Sequence, residues 1–198
     1  MKNILIINGF QPTPYSAGQL NAAIIARMTD HLSASGYAVQ HSRAADQDWD
    51  IDAEIEKHVW ADAVIWQFPV NSMGVPWPLK KYMDEVYTAG MDGRMTAGDG
   101  RSRAAPKKNY GMGGTLGGTK YMISVTLNAP AEAFNDPSEP FFAGASVDDL
   151  LLPQHQNGKF YGMAPLPTFA MFDVTKNPQI DADFARLDTH LNENFPGA

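Results

Sequence analysis

The start of the chain carries a strand, loop and helix pattern that restricts the fold more than any other feature. Positions 4–7 are four consecutive branched apolar residues, which predict a buried parallel strand over residues 2–8 that Gly9 ends. After Gly18, apolar residues recur at every fourth position and predict a helix with one inward face; they are Leu20, Ile24, Met28 and Leu32. A buried strand, a loop of small and hydroxyl residues and a helix start form a common cradle for phosphate groups. The pattern therefore predicts a nucleotide or flavin cofactor.

Strands and helices are predicted to alternate along the rest of the chain. Further strands are predicted at residues 37–42, 63–68, 121–126 and 168–173. Further helices are predicted at residues 52–60, 76–86, 147–152 and 181–194. This alternation predicts an α/β fold in which helices cover both faces of a parallel sheet. Residues 89–119 contain nine glycines without a clear period, so a long functional loop is predicted there.

Five strands in one domain, residues 1–198, favour a flavodoxin-like three-layer sandwich with a five-stranded parallel sheet in the order 2-1-3-4-5. In such a sheet, ligands bind beyond the carboxyl ends of strands 1, 3 and 4, where the strand order reverses. The functional loops are therefore expected to begin at residues 9, 69 and 127.

Composition excludes several classes of function. The net charge of −7 opposes general binding of nucleic acid, and the absence of cysteine excludes thiolate catalysis and a Cys-ligated zinc site. The five histidines lack the spacing of metal ligands, so no metal site is expected. No apolar stretch approaches a signal peptide or a membrane span, which leads us to expect a cytoplasmic protein. The acidic run at 46–56 and the basic residues at 94–108 are expected to be solvated surface.

Three loops carry the residues that suit a cofactor. In the first, the Ser16 hydroxyl and the amides of Gly18, Gln19 and Leu20 are placed to meet an anion, each contact contributing about 0.3–1 kcal/mol. The alternative is an ordinary helix that Ser16 caps. In the third loop, Asn128 and nearby amides are placed to stabilise negative charge on a reduced flavin. Its alternative is a simple Asn-Ala-Pro turn.

The second loop, residues 69–77, follows the third strand. Polar Asn71 and Ser72, flexible Gly74 and flat Trp77 suit a platform on which backbone amides meet the edge of a flavin ring. The alternative is a proline-rich turn with Trp77 packed in the core.

Other nucleotide and catalytic motifs do not fit. The glycine-rich segment 113–120 ends Thr-Lys rather than Lys-Thr and precedes a strand, so it is not a triphosphate loop. The dinucleotide fingerprint fails because Leu116 stands where its third glycine belongs. No serine lies in a nucleophile elbow, which opposes a hydrolase.

Taken together, short segments along nearly the whole chain resemble the bacterial NAD(P)H:quinone reductases called modulator of drug activity B, in the flavodoxin-like group that includes DT-diaphorase. The matching segments are residues 3–9, 18–21, 60–67, 73–77, 80–82, 120–122, 128–130, 132–134 and 166–169. The sequence departs from the family in two places. Residues 11–15 replace the lysines and histidine that often precede the serine, and Ser72 replaces a bulky aromatic residue.

The resemblance implies bound FAD, use of NADPH or NADH, and two-electron reduction of a quinone by a homodimer. The residues that it places at the FAD phosphates are Ser16, Ala17, Gly18, Gln19, Leu20, Asn21, Ala22 and Ala23. Those that it places at the isoalloxazine are Pro69, Val70, Asn71, Ser72, Thr126, Leu127, Asn128 and Ala129, with Tyr110 as a flavin-contacting tyrosine.

The resulting hypothesis is ping-pong hydride transfer from the nicotinamide through flavin N5 to a quinone. Catalytic roles fall to Asn128, which stabilises charge, and to Tyr110 and Phe134, which form walls of the substrate slot. A basic residue of 94–108 is expected to meet the NADPH 2′-phosphate. Two alternatives stay open: an FMN-dependent reductase of azo or nitro compounds, and a flavodoxin-like electron carrier.

Overall fold

The computed structural model describes residues 2–197 of the chain. Its strands in this range are β1 (Asn3–Asn8), β2 (Ala38–Arg43), β3 (Ala63–Pro69), β4 (Lys120–Thr126), β5 (Ala164–Pro165) and β6 (Phe169–Met171). Its α-helices in the same range are α1 (Gln19–Ala34), α2 (Ile51–Trp60), α3 (Trp77–Tyr82), α4 (Val147–Leu150), α5 (Leu152–Phe160) and α6 (Ile180–Asn194).

The strands form one parallel sheet in the order β2-β1-β3-β4, with β5 and β6 both on the outer side of β4. The predicted flavodoxin-like order 2-1-3-4-5 is therefore confirmed, with a sixth strand added. The predicted fifth strand at 168–173 is shorter than expected, because the outermost strand is divided into two short pieces. Pro165 and Pro167 lack an N–H to donate, and only Leu166 between them donates to β4, at 2.7 Å to the Tyr121 carbonyl.

Two apolar layers hold the helices against the sheet. In β1, Leu5 and Ile7 face a cluster that includes Ile55 of α2 and Leu79 of α3. Its other face meets α1 and α6 through a second cluster that contains Ile4, Ile6, Ile24, Leu187 and Leu191. The approach of α3 to β1 depends on Gly9, because a Cβ there would stand 2.5 Å from Leu79 Cδ2. Both faces of the sheet are covered, which explains why its central strands are apolar throughout.

The helices differ from the predictions at two places. The helix predicted over 76–86 changes at Met83 from an α-helix to a π-helical turn, Met83–Tyr87. The short helix predicted at 147–152 ends at Leu150, and α5 follows it. No helix was predicted over α5, because its sequence, LPQHQNGKF, has no apolar period. Gly158 lies in this helix because a Cβ would meet the Tyr121 ring at 2.5 Å.

Within residues 2–197, no helix has both the length and the apolar character needed to cross a bilayer. The long segment 89–119 has little regular structure, and an isolated bridge between Thr96 and Gly114 joins its two halves.

A buried polar cluster lies between α2 and the π-helical turn. His58 is fully buried, with Nδ1 2.9 Å from the Glu54 carbonyl and Nε2 3.3 Å from the Tyr87 hydroxyl. Because a carbonyl only accepts hydrogen bonds, Nδ1 carries the proton and Nε2 is the acceptor. Burial lowers the pKa of His58 to about 4. The histidine is therefore neutral in the folded protein at physiological pH.

This burial predicts that the protein loses stability in mild acid. In the unfolded chain His58 binds a proton near its ordinary pKa of about 6.5, whereas the folded chain binds it only near 4. The contribution of neutral His58 to the free energy of unfolding is complete above its pKa in the unfolded chain. It is lost as the pH falls from that pKa toward the folded one, by about 2 kcal/mol between pH 7 and pH 5. Urea unfolding at the two pH values measures it.

His58→Gln keeps hydrogen-bonding capacity without the titration, so its unfolding free energy at pH 7 accounts for altered contacts. We expect its decrease between pH 7 and pH 5 to be smaller than that of the wild type by about the same 2 kcal/mol. An equal decrease in both proteins would contradict this assignment.

Candidate functional site

The carboxyl ends of β1, β3 and β4 open into one cavity of ≈ 440 Å³. Four segments border it, and the fourth follows β6. The lining residues are Phe10, Gln11, Thr13, Tyr15, Ser16, Gly18, Leu20, Asn21, Pro69, Val70, Asn71, Thr126, Asn128, Val174 and Thr175. The three loops predicted to act together therefore lie at one place in the molecule.

Nine of the predicted cofactor residues line this cavity. They are Ser16, Gly18, Leu20, Asn21, Pro69, Val70, Asn71, Thr126 and Asn128. The others of the three loops do not border it, and their binding roles stay predictions: Ala17, Gln19, Ala22, Ala23, Ser72, Leu127 and Ala129.

The loop after β1 leaves the start of α1 open toward the cavity. Gly18 is the residue before the helix, with φ +76°, and no side chain caps the first turn. The Ser16 hydroxyl instead accepts a hydrogen bond from the Gly18 N–H at 3.3 Å. The alternative in which Ser16 is an ordinary helix cap is therefore wrong. Because the first turn also contains no acidic residue, the positive end of the helix dipole is available to an anion.

Gly18 itself is required by a close approach. A Cβ at this position would stand 2.2 Å from the Phe10 ring, and a positive φ already disfavours a side chain there. The Phe10 ring therefore packs directly on the backbone that begins α1. This contact fixes the shape of the predicted phosphate cradle.

A chain of buried side-chain hydrogen bonds supports the cavity from below. The Ser124 hydroxyl donates to Gln67 Oε1 at 2.6 Å, and Gln67 Nε2 donates to Asn21 Oδ1 at 3.1 Å. Asn21 Nδ2 then donates to Asn8 Oδ1 at 2.9 Å, which also accepts from the Phe10 N–H at 3.0 Å. Ser124, Gln67 and Asn21 are each at most 4% exposed. We call these four side chains and the Phe10 amide the amide chain; it joins β4, β3, α1, β1 and the loop after β1.

The loop after β3 turns back on itself beside the cavity. Asn71 and Gly74 exchange backbone hydrogen bonds of 2.9 and 3.0 Å, and the two residues between them, Ser72 and Met73, both have positive φ. This left-handed turn is strained for residues with side chains. Trp77, at the start of α3, is 54% exposed, so the alternative in which it packs in the core is wrong.

The loop after β4 is held by a segment that the sequence did not single out. Thr175 Oγ1 donates to Asn128 Oδ1 at 2.5 Å, and the Val174 N–H donates to the Leu127 carbonyl at 3.2 Å. This bond fixes which end of the Asn128 amide is the oxygen, and the other end keeps its two N–H donors for a ligand. Thr175 and Val174 follow β6, the outer neighbour of β4, so the carboxyl-end rule itself points to them.

The structure does not bring Tyr110 and Phe134 to this cavity. Tyr110 is 71% exposed, with its ring 6.2 Å from that of Phe160 and the Arg101 guanidinium 5.7 Å away. Phe134 is buried, and its ring stacks on that of Phe142 at 4.1 Å. The predicted roles of both residues stay predictions.

The cavity is built from neutral groups. Along it, the described lining includes no Asp, Glu, His, Lys or Arg side chain. Among residues 2–197, no three His, Asp or Glu side chains come together as a possible metal site. A larger cavity of ≈ 700 Å³ lies along β6 and α6 and contains no residue of the three loops. The arrangement thus suits binding through amides, hydroxyls and a helix dipole.

Known proteins share this architecture over nearly the whole chain. The family model described as the flavodoxin-like fold matches residues 2–192. A protein of unassigned function from Schizosaccharomyces pombe is 46% identical over 195 residues, 98% of each chain. NADPH:quinone oxidoreductase MdaB from Haemophilus influenzae is 42% identical over 193 residues, 98% of this chain and 99% of the relative. This match confirms the resemblance seen in the sequence.

A solved structure from Klebsiella pneumoniae, presented as a candidate quinone reductase, superposes with a TM-score of 0.76 and 26% identity. The superposition covers 99% of this chain and 84% of that one. The order of strands in the parallel sheet of this chain agrees with these matches. The chain therefore belongs to the family with the flavodoxin-like fold.

Proposed function

We propose that the chain is a flavoenzyme that takes two electrons from NADPH or NADH and gives them to a quinone. The observation that carries the proposal is the meeting of an open helix start and the loops after β3 and β4 at one cavity of neutral groups. The full-length relative named NADPH:quinone oxidoreductase MdaB supports the same reaction.

The residues present fit a flavin nucleotide. The free first turn of α1, without an acidic residue, suits phosphate groups, and Ser16 and Gly18 lie beside it. Asn71, Asn128 and the backbone around them suit the polar edge of an isoalloxazine ring. When bound, the flavin supplies the two-electron hydride chemistry that the neutral side chains of the cavity lack. We propose FAD as the cofactor; FMN, the smaller flavin, is the alternative.

The protein's own contribution is orientation and electrostatics. The Asn128 N–H donors, set by Thr175, would stabilise the negative charge that develops on the cofactor on reduction. The amide chain keeps Asn21, at the wall of the cavity, in register with β3 and β4. Rigid support of this kind holds reacting atoms at productive distances without acid or base catalysis.

We also propose that the chain acts as a homodimer in the cytoplasm. Large apolar side chains that are unusually exposed, including Met73 at 52% and Phe141 at 74%, suit burial against a second copy. The cytoplasm contains NADPH and NADH, the reductants of the proposed reaction.

The identity of the cofactor is the first test. We expect the purified chain to be yellow. Acid should release the flavin, and chromatography should identify it as FAD. In stopped flow, NADPH should bleach the flavin rapidly, and no spectrum of a one-electron intermediate should appear. Released FMN would favour the azo or nitro reductase, and slow bleaching with a stable one-electron form would favour the electron carrier. A colourless chain that binds neither flavin would refute the proposal.

The role of Thr175 gives a second prediction. Thr175→Val removes the hydroxyl that orients Asn128, and one hydrogen bond of about 1 kcal/mol corresponds to roughly fivefold weaker flavin binding. Fluorescence titration of the flavin-free chain measures the Kd. Thr189→Val is the matched control, since its hydroxyl bonds the Ala185 carbonyl on α6. Equal Kd values for the Thr175 variant and wild type would show that the contact does not matter.

The basic segment gives a third prediction, on the nicotinamide. Arg94 is paired with Asp52 and Asp92, and Arg101 with Asp99, whereas Lys107 and Lys108 make no ion pair within residues 2–197. If these lysines meet the 2′-phosphate, the double variant K107E/K108E raises KM for NADPH by roughly tenfold and leaves KM for NADH unchanged. Arg43→Glu, on the β2 edge, is the charge control. An unchanged ratio of the two KM values contradicts the assignment.

A further inference from the structure

Five aromatic side chains form a continuous chain through the core on the α2–α3 side of the sheet. Ring centroids are 5.3 Å apart between Trp49 and Tyr82, 6.3 Å between Tyr82 and Tyr87, and 6.5 Å between Tyr87 and Trp66. A further step of 5.2 Å joins Trp66 to Tyr121. We call these five residues the aromatic chain. Trp49 is partly exposed at its outer end, and the other four are at most 2% exposed.

Each tyrosine of the aromatic chain has a base as hydrogen-bond partner. The Tyr82 hydroxyl donates to the Glu54 carboxylate at 2.7 Å. The Tyr87 hydroxyl lies 3.3 Å from His58 Nε2, the ring nitrogen without a proton. At the far end, the Tyr121 hydroxyl is 2.9 Å from His155 Nδ1, and His155 Nε2 is 3.2 Å from Asp148.

This pairing has a chemical meaning beyond packing. A buried phenol is hard to oxidise alone, because its radical cation is a charge without solvent. A base at hydrogen-bond distance takes the proton as the electron leaves, so that a neutral radical remains. Burial raises the pKa of Tyr82 well above its ordinary value, so the phenol keeps its proton until an electron is removed.

We propose that the aromatic chain conducts one-electron oxidising equivalents between the interior beside the cavity and the surface at Trp49, with Tyr82 and Glu54 as the place where the radical rests. Trp66 lies three residues before Pro69, a lining residue of the cavity, about 10 Å along β3. An oxygen-derived radical formed there is the oxidant class that the chain would remove. The proposal does not depend on the identity of the cofactor or the substrate.

An oxygen-centred radical beside the cavity takes one electron from Trp66 and one proton from water, which gives water or a hydroperoxide. The Trp66 radical cation then takes one electron from Tyr82 through Tyr87, while the Tyr82 phenol proton passes to the Glu54 carboxylate. The products are neutral Trp66, a neutral Tyr82 radical and a neutral Glu54 acid. A soluble thiolate then returns the electron through Trp49 and becomes a thiyl radical, and the proton goes back from Glu54 to Tyr82.

The neighbours of each tyrosine set the resting position. A proton that moves from Tyr87 to His58 creates a buried cation, and burial lowers the pKa of His58 to about 4. A proton that moves from Tyr82 to Glu54 creates no new buried cation, and it travels along a shorter hydrogen bond, 2.7 Å against 3.3 Å for Tyr87 and His58. Burial opposes the charge on Glu54, although hydrogen bonds from Lys57, Ser42 and Tyr82 outweigh it and lower its pKa, so distance rather than proton affinity separates the two bases. Lys81, 4.9 Å over the Trp49 ring, disfavours a positive charge on Trp49. The shorter hydrogen bond therefore places the radical on Tyr82.

Azide radical, generated by pulse radiolysis, tests the proposal in the full chain. It oxidises tryptophan by one electron and becomes azide anion. A W60F/W77F background leaves Trp49 and Trp66 as the tryptophans. We expect the tryptophan radical to decay as a tyrosyl radical grows, at a rate independent of protein concentration. Tyr82→Phe and Glu54→Gln should each slow this growth by roughly tenfold or more, because one removes the donor and the other the proton acceptor.

Tyr37→Phe is the matched control, a buried tyrosine on the opposite face of the sheet, and it should leave the rate unchanged. Circular dichroism verifies that each variant folds. If Tyr82→Phe does not fold, Trp49→Phe is used instead and must abolish the rapid growth of the tyrosyl radical. The proposal is overturned if the tyrosyl radical grows in the Glu54 and Tyr82 variants as fast as in the W60F/W77F protein, or if Tyr37→Phe slows its growth equally. The aromatic chain would then serve packing alone.

Discussion

The amide chain is the interaction on which the candidate site depends. Its members come from three separate strands and from α1, and each donor in it meets one acceptor, so the whole set has a single satisfied arrangement. Leaving one of these buried groups without a partner costs about 1–3 kcal/mol, so the strands cannot shift relative to one another without penalty. The sheet thereby transmits its register directly to the backbone that surrounds the cavity.

The same constraint explains why the cavity can be chemically plain. Its walls are amides, hydroxyls and an open helix start, and their usefulness lies in where they point. Precise placement of neutral groups is what a bound cofactor with its own reactivity requires. On the opposite side of the sheet, the buried polar groups include the ionisable side chains of Glu54 and His58.

The parts of this fold that the sequence predicts are those in which local pattern and global burial agree. The apolar runs of β1, β3 and β4 fix the centre of the sheet, and the strand order then places three loops at one edge, where they are found. Local pattern fails where tertiary contacts decide. The polar sequence of α5 is helical because Gly158 packs on Tyr121, and Thr175 matters because of a partner 47 residues away. The burial of single aromatic side chains also could not be predicted from the sequence. Phe134 stacks on another aromatic ring, whereas Trp77 is exposed to solvent.

The divided outer strand has a consequence for the fate of the protein at high concentration. A sheet of parallel strands ends in two open edges, and an open edge recruits further strands from other molecules. On one side, two prolines leave pieces of two and three residues, and Arg186 donates to the Ala170 carbonyl at 2.8 Å. On the other side, Lys57 donates in the same way to the His41 carbonyl of β2, at 3.0 Å. Each border thus ends in a cation bonded to a main-chain oxygen, a device that discourages fibrous self-association while leaving the faces of the molecule free for specific contacts.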